Sequence, residues 1–516
     1  MAVGTHHAAA CCCGACAARG HGPESAQTAS FAWPDRPEGA GLVSGLKWSG
    51  ATLAYAFPES AAAYAGGDVH EYGAGEAANG FRPLNDAQVE AARAAFAQFA
   101  AVSGLRFFEA TGAEAANAPI RLAQSAAPLT AWAYLPATGE GGDAWFGTAA
   151  GFFEAPRQGD YAWHTFLHEI GHALGLKHGH ETQGPGALPA DRDSMEYSVM
   201  TYRAYLGDAV EGGYANERYG FAQTLMQADI SAIQQLYGAN YAHNAGDNVY
   251  RWSPDTGEMF IDGAGQGAPG GNRIFMTIWD GGGEDWFDLS NYGGGVSLDL
   301  SPGGASVFED GQRAWLNRLE GGAEAIFASG NVYLADLFDG DERALIEHAR
   351  GGAGDDTVFG NVAANRLIGG AGDDLLRGAA GADTLRGQDG EDRLEGGDGR
   401  DRVAGGGGAD HLFGGVGPDI LRGGGGDDTL EGGAGRDRLI GGRGDDLFVF
   451  APREGRDLIR GFDPGEDAID LSAFDAGFAE LRIRAEGPDA FLALPGLKLV
   501  LKGVDAAALS EDDFLF

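Results

Sequence analysis

The sequence predicts a multidomain protein in which an α/β (α+β) domain in the first half of the chain precedes an all-β domain in the second. Three observations favour this fold class. A chain of 516 residues is longer than one hydrophobic core ordinarily serves. Helix-like and strand-like hydrophobic periodicities are interleaved before about residue 243. After residue 350 a strict nine-residue glycine pattern takes over.

Shifts in composition predict the domain boundaries. We expect an N-terminal tail over 1–40, a first domain over 41–243 and a second over 244–516, with repeats at 351–449 and a cap at 450–516. The tail holds all four cysteines, which lie among His6, His7 and His21: Cys11, Cys12, Cys13 and Cys16. These residues could form a small metal site, but their spacing fits no zinc pattern. The favoured interpretation is an unstructured, removable tail.

The charge of the chain limits its partners. The formal net charge of -40 makes nucleic acid an improbable partner and suggests a hard cation such as calcium. No apolar run is long enough to span a bilayer, so stable membrane insertion is not expected. The first residues lack the basic region of a cleavable signal peptide.

Three helices and several strands are predicted in the first domain. Helical spacing marks Asp86–Val102, with Asp86 as the N-cap, and also 161–175 and Gln227–Tyr237. Alternating residues mark a strand over 51–57, and others follow over 105–109, 119–123 and 130–135.

The second helix carries a metal-binding pattern, H-E-x-x-H-x-x-G-x-x-H, formed by His168, Glu169, His172, Gly175 and His178. Histidines four apart on a helix share one face, and Gly175 lets the chain leave the helix so that His178 returns as the third ligand. Three nitrogens leave a fourth tetrahedral position for water, as in a catalytic zinc site. Glu169 is then the general base for the attacking water and the proton donor to the leaving amine.

A second motif, S-V-M-T-Y at 198–202, follows the first. Together the two motifs resemble those of the metzincins, and a tyrosine two residues after the methionine resembles the astacin and serralysin version. The resemblance implies that Met200 forms a hydrophobic floor beneath the metal. It also implies that Tyr202 is a further zinc ligand at rest and stabilises the oxyanion during catalysis.

A candidate substrate-binding strand precedes these motifs. The segment T-A-W-A-Y-L-P at 130–136 resembles the edge strand on which metzincins lay an extended peptide. The resemblance implies that substrate pairs with the backbone of Ala131, Trp132, Ala133 and Tyr134. An ordinary strand of the sheet is the alternative.

Eleven units of nine residues run without insertion from Gly351 to Val449, each close to G-G-x-G-x-D-x-U-x with an apolar U. The apolar position should build the core: Val358, Leu367, Leu376, Leu385, Leu394, Val403, Leu412, Leu421, Leu430, Leu439 and Phe448. Ten units keep an aspartate suited to calcium: Asp356, Asp374, Asp383, Asp392, Asp401, Asp410, Asp419, Asp428, Asp437 and Asp446. Asn365 is the departure in the second unit, and Ala379 and Gln388 replace second glycines.

This pattern is the signature of the RTX parallel β-roll. Several structural calcium ions are therefore expected beside one catalytic zinc, and the roll should fold only when calcium binds. With the protease motifs, the pattern resembles the serralysins, which are zinc metalloendopeptidases of Gram-negative bacteria. That resemblance implies a propeptide, protein or peptide substrates, and secretion to the exterior by a type I apparatus that reads an uncleaved C-terminal signal. A monomer is expected.

Two other classes of protein are alternatives. One is a calcium-dependent surface or adhesive protein whose protease-like half is inactive, but such a module would be expected to lose Glu169 or a histidine. The other is a pore-forming RTX toxin, which lacks the apolar helices that it would need. The favoured interpretation is a secreted zinc endopeptidase.

Overall fold

In the first half of the chain, helices and a mixed five-stranded sheet share one hydrophobic core. The computed structural model describes residues 28–30, 39–64, 75–137, 140–318 and 324–516, so the predicted cysteine tail lies outside the described residues. The strands are β1 (Thr28–Ser30), β2 (Leu46–Trp48), β3 (Thr52–Ala56), β4 (Arg106–Glu109), β5 (Ile120–Ser125), β6 (Ala131–Ala133) and β7 (Ala144–Gly147). The helices are α1 (Asp86–Val102), α2 (Tyr161–Ala173) and α3 (Gln227–Tyr237). The sheet order is β4-β3-β5-β7-β6, so β6 is an edge strand, and it runs antiparallel to β7.

The predicted bounds of α1 and α3 are confirmed, but the predicted cap of α1 is wrong. Asn85 rather than Asp86 is the N-cap, because its extended backbone lets its side chain accept from Gln88 N at 3.0 Å. The Gln88 side chain accepts in return from Asn85 N at 2.8 Å, which completes a capping box. Gly238 ends α3 with a φ of 79°.

The segment between the helices and the repeats contributes to two cores. Its strands are β8 (Val249–Trp252), β9 (Met259–Ile261), β10 (Ala264–Gly265), β11 (Met276–Ile278), β12 (Trp286–Asp288), β13 (Ser297–Asp299), β14 (Ala305–Ser306), β15 (Val332–Leu334) and β16 (His348–Arg350). Phe275 and Tyr333 pack into the core of the helices, whereas Tyr250 and Phe287 pack into the core of the roll. The two halves are therefore joined by buried side chains.

The repeats form two parallel sheets that face each other. Their strands are β17 (Thr357–Phe359), β18 (Arg366–Ala371), β19 (Leu375–Gly381), β20 (Thr384–Asp389), β21 (Arg393–Gly399), β22 (Arg402–Gly407), β23 (His411–Val416), β24 (Ile420–Gly425), β25 (Thr429–Ala434), β26 (Arg438–Arg443) and β27 (Leu447–Val449). Even-numbered strands lie in a fourteen-stranded sheet and odd-numbered strands in a nine-stranded sheet. From β17 to β25 each strand pairs with the strand 18 residues further on, for example Leu376 with Leu394. All eleven predicted apolar positions are buried, which confirms the β-roll.

The last strands cover the end of the roll. They are β28 (Asp457–Arg460), β29 (Ala468–Asp470), β30 (Arg482–Glu486), β31 (Asp489–Leu494), β32 (Leu497–Lys502) and β33 (Phe514–Leu515). After β32 the large sheet continues through β31 and β30 in antiparallel pairing, which ends the parallel stack. In the described part of the chain no helix is both long and apolar enough to cross a membrane.

Candidate metal and catalytic site

Helix α2 places the first two histidines of the motif on one buried face. Asp160 caps the helix by accepting from Trp163 N at 2.8 Å. His168 and His172 are four residues apart and are 4% and 2% exposed, so their side chains project together into the interior. The predicted helical register of the motif is present.

Gly175 turns the chain back toward the helix. Its φ is 109°, and a Cβ there would lie 2.2 Å from Leu46 O, so no other residue fits without a shift of the backbone. Leu176 N then donates to Gly171 O at 2.9 Å. This return brings His178 to the two helical histidines, as predicted for Gly175.

The three imidazoles converge through their Nε2 atoms. These atoms lie 3.1 Å apart for His168 and His172, 2.9 Å for His172 and His178, and 3.2 Å for His168 and His178. Nitrogens at two corners of a zinc tetrahedron are separated by about 3.3 Å when each bond is about 2.0–2.1 Å. The spacing therefore fits a single metal ion.

The opposite ring nitrogens explain which tautomer is present. The Nδ1 atom of His168 lies 2.7 Å from Val199 O, and that of His172 lies 2.8 Å from Leu176 O. Both carbonyls can only accept, so each Nδ1 donates and each Nε2 presents a lone pair. Glu181 Oε1 has the same role 2.9 Å from Nδ1 of His178. Burial lowers the pKa of all three imidazoles, that of His168 to about 4, which keeps them neutral as ligands must be.

The remaining predicted residues surround this centre. Glu169 is 1% exposed, and the Tyr202 ring centroid lies 4.3 Å from that of His178 and 5.9 Å from that of His168. Met200 is fully buried, and a Cβ on Gly171 would lie 2.6 Å from its sulfur. Glycine at position 171 therefore lets Met200 pack directly against the metal-binding helix.

Asp229 on α3 is a supporting residue that the sequence analysis did not identify. It accepts from Ser198 Oγ and Val199 N, each at 2.7 Å, and from Met226 N at 2.9 Å. Burial raises its pKa to about 6. Val199 also supplies the carbonyl that orients His168. Asp229 therefore holds the S-V-M-T-Y segment 198–202, which we call the methionine turn, in the position that the histidine needs.

The predicted substrate strand lies at the edge of the sheet. Trp132 Nε1 donates to Glu76 Oε1 at 3.1 Å, and the Tyr134 hydroxyl donates to the same oxygen. Ala131 and Ala133 alternate with Trp132 and are buried. An edge strand can pair with an extended peptide, so a role in substrate binding stays a prediction for β6.

The repeat aspartates form two ladders, one from each set of alternate units. In each ladder the backbone N–H of one aspartate donates to Oδ1 of the aspartate 18 residues later, as Asp392 N does to Asp410 and Asp401 N does to Asp419, at 2.9 and 2.8 Å. Nine of the ten then have a buried Oδ2 without a hydrogen-bond partner: Asp374, Asp383, Asp392, Asp401, Asp410, Asp419, Asp428, Asp437 and Asp446. Burial raises the pKa of these carboxyl groups, that of Asp374 to about 7. Buried carboxylate oxygens of this kind fit calcium, which takes oxygen ligands.

The ladders depart from the repeat pattern at their ends. Asn365 replaces the aspartate with an amide that donates to Glu347 O at 2.9 Å and to Asn361 Oδ1 at 3.0 Å, so hydrogen bonds satisfy this unit. Asn365 also lacks the charge of a carboxylate, so weaker calcium binding by the second unit, or a boundary there, is a prediction. Past the repeats, Asp457 and Asp467 accept from Asp437 N and Asp446 N at 2.9 and 3.0 Å. The repeat pattern missed these two residues because their spacing is 20 and 21 residues.

A further group of acids, also missed, lies where the roll begins. Asp285 is fully buried and has an Oδ2 without a hydrogen-bond partner, while its N–H donates to Glu347 Oε2 at 2.9 Å. Burial, with the nearby charges of Asp280 and Glu347, raises the pKa of Asp285 to about 8. The carboxyl groups of Asp280, Asp285 and Glu347 are therefore also suited to bind a cation.

The fold and the site define a metallopeptidase-type domain with a three-histidine centre, joined to a calcium-type β-roll. Residues 134–239 match the metallopeptidase family M12B reprolysin-like model. Residues 350–385, 386–421 and 413–448 match the RTX calcium-binding nonapeptide repeat.

The curated relatives agree with this class. The chain is 31% identical to serralysin A and 34% identical to a serralysin C of Dickeya chrysanthemi, each over 61% of both chains. It is 31% identical to metallopeptidase AprA of Pseudomonas marginalis over 56% of this chain and 57% of that one. The chain thus spans about three-fifths of the length of these relatives. These findings confirm the predicted resemblance to serralysin-type metalloproteases with RTX repeats.

Proposed function

We propose that this protein is a secreted zinc-dependent endopeptidase that hydrolyses peptide bonds in extracellular proteins. The observation that carries the proposal is the convergence of three neutral imidazole Nε2 atoms beside the buried Glu169. His168, His172 and His178 would hold the metal. Zinc, when bound, polarises the substrate carbonyl and lowers the pKa of a water molecule to about 7.

The residues of the chain then position the reactants and move the protons. Glu169 accepts the proton of the attacking water and transfers it to the leaving amine. Tyr202 would be a further ligand to the metal at rest, and its hydroxyl would supply a hydrogen bond to the oxyanion of the substrate. The backbone of β6 aligns the substrate by strand pairing, which depends little on substrate side chains.

The repeats give this enzyme its dependence on calcium. The ten aspartates bind several calcium ions, and the roll becomes rigid where calcium is abundant. The similarity to serralysins supports export from a Gram-negative bacterium through a type I apparatus, as a monomer with a propeptide. The competing function is a calcium-dependent adhesive protein with an inactive protease-like module.

The test is casein hydrolysis by protein folded in calcium, with and without o-phenanthroline. Glu169→Ala should retain zinc and lose activity by about 10²- to 10⁴-fold, the usual contribution of a general acid and base. Glu114→Ala, which changes an exposed carboxylate, serves as the matched control and should retain full activity.

Zinc content measured on each sample separates the outcomes. A zinc-loaded Glu169→Ala protein with normal turnover would remove Glu169 from its proposed role. Wild-type protein that is zinc-loaded and folded in calcium, yet cleaves no casein, would favour the adhesive protein.

A further inference from the structure

One outer face of the β-roll carries an arginine on each of seven neighbouring strands. In the fourteen-stranded sheet, consecutive strands from β16 to β28 alternate inward leucine, valine, isoleucine or alanine residues with outward residues. One outward residue per strand is an arginine, and these seven residues form what we call the arginine face: Arg350, Arg366, Arg386, Arg402, Arg422, Arg438 and Arg460.

The arginines alternate between two columns. In one column Arg402 lies between Thr384 and Ile420, and in the other Arg422 lies between Ala404 and Ile440. The arginines thus follow a zigzag along the axis of the roll, separated by small or apolar side chains. The residues that alternate with the arginines include no acid: His348, Ile368, Thr384, Ala404, Ile420, Ile440 and Leu458. Of these, Ile368 is buried, and at the first strand of the row the exposed carboxylate of Glu284 lies 3.8 Å from His348.

The arginines of this face form no ion pairs with carboxylates, although the protein is rich in acidic residues. Within the described ranges, no ion pair joins any of the seven to an aspartate or glutamate. Five of them are exposed: Arg366, Arg386, Arg402, Arg422 and Arg460. In a chain with a net charge of -40, an unneutralised row of cations is a local reversal of sign.

The opposite face of the roll shows what structural arginines look like here. Arg377 and Arg393 both form ion pairs with Glu395, at 2.9 and 2.7 Å. Their guanidinium groups also lie over aromatic rings, Arg377 over Phe359 at 5.5 Å and Arg393 over Phe413 at 4.3 Å. On the arginine face, Arg350 lies over the ring of Trp286 at 5.8 Å, but within the described residues the other six have neither an ion pair nor an aromatic contact. The arginine face therefore calls for a different explanation.

The length and width of the arginine face indicate what shape of partner fits it. Parallel strands lie about 4.8 Å apart, so seven strands give a row about 29 Å long but only two residues wide. The turns along one edge of the roll carry exposed acids, Asp373, Glu391, Asp427 and Asp445. A broad anionic surface such as a membrane would approach these acids, whereas a narrow linear polymer can follow the arginines without reaching that edge.

The chemistry of the face selects the kind of polymer. Guanidinium groups bind carboxylates and sulfates in paired hydrogen bonds. From β18 to β28 the face has no aromatic side chain on which a nucleic acid base could stack. We propose that the arginine face binds a linear acidic polysaccharide, whose charges recur along one extended chain.

The test measures binding of a fluorescent heparin oligosaccharide to the full chain folded in calcium, by anisotropy. Arg402→Gln with Arg422→Gln should raise Kd at least tenfold, and added salt should weaken binding of the wild type. Arg377→Gln with Arg393→Gln is the control, because it removes the same charge from the opposite face, and it should change Kd less than twofold. Circular dichroism in calcium confirms that each variant is folded, and casein hydrolysis should be unchanged in both.

Three results would overturn the proposal. One is an equal loss of affinity in the two double variants, and another is heparin binding no stronger than that of neutral dextran. The third is a tighter complex between the arginine face and single-stranded DNA or anionic phospholipid vesicles. Because casein hydrolysis is measured on the same samples, failure of this proposal is distinct from failure of the proposed protease function.

Discussion

At the scale of single residues, the candidate site depends on atoms that do not face the metal. Each imidazole is held by its Nδ1 atom, against Val199 O, Leu176 O or Glu181 Oε1. These contacts determine both the tautomer and the direction of the Nε2 lone pair. The precision of the site therefore comes from the methionine turn and the loop after α2 as much as from the histidines.

The proposed role of Tyr202 gives a prediction at this scale. Tyr202→Phe keeps the ring near His178 but removes the hydroxyl, so zinc content should stay near that of the wild type. Turnover should fall by about 10²-fold, as when one oxyanion donor is lost. Steady-state kinetics with a peptide substrate and metal analysis on the same sample provide the measurement.

The matched control is Tyr241→Phe, which removes a hydroxyl that donates to Phe338 O at 3.1 Å, away from the site. It should leave turnover unchanged. If Tyr202→Phe is as active as the wild type, the hydroxyl has no role in stabilising the oxyanion.

The metal ligands can be predicted from the sequence, but the residues that orient them mostly cannot. The spacing of His168, His172 and His178 is local, because one helix and one glycine turn bring these residues together. Asp229 acts from a helix about 30 residues beyond the methionine turn, and only the tertiary packing of α3 brings its carboxylate to Ser198 and Val199. Contacts of this kind leave no periodic signal in the sequence.

At the scale of the repeat, the second position of each unit has a demanding backbone. The second glycines from the third unit onward have positive φ, for example 134° at Gly424, and Ala379 and Gln388 adopt φ values of 77° and 98° at the same position. A residue with a Cβ is strained there by roughly 1 kcal/mol. The sequence pattern shows that Ala379 and Gln388 replace glycines, but it gives no measure of this backbone cost.

This strain gives a prediction for Ala379→Gly. The free energy of unfolding of the calcium-loaded roll should rise by up to about 1 kcal/mol, because glycine adopts positive φ without the steric cost of a Cβ. Ala380→Gly is the control, since Ala380 lies in β19 next to it without positive φ, and this variant should be destabilised by about 0.5–1 kcal/mol. Denaturant titration in saturating calcium measures both, and equal effects of the two changes would contradict the assignment of strain.

At the scale of the whole molecule, the stacked carboxylates repel one another when they are charged. Folding of the roll therefore depends on neutralisation of these groups by protons or by calcium ions. Burial raises the pKa of Asp383 and Asp410 to about 7, and that of Asp419 and Asp428 to about 6. An aspartate in an unfolded chain has a pKa of about 3.9. Protons and calcium ions therefore compete to neutralise the same groups.

The sign of the pH dependence follows from these values. Between about pH 4 and 7 the folded roll binds more protons than the unfolded chain, so calcium-free stability should fall as pH rises through this range. Far-ultraviolet circular dichroism in EDTA should show more strand structure at pH 5.5 than at pH 8. Saturating calcium should remove most of the difference, and identical EDTA spectra at the two pH values would contradict the prediction.

The covered end of the roll has a consequence for how copies of the protein behave together. Every turn of the roll presents the same backbone groups to the next, so an uncovered end would accept a turn from another molecule as readily as one of its own. Strands β30 and β31 prevent this by reversing direction at the end of the large sheet. We therefore expect the 67 residues 450–516 to act as a terminator of polymerisation, and a roll folded without them to seed the growth of a filament.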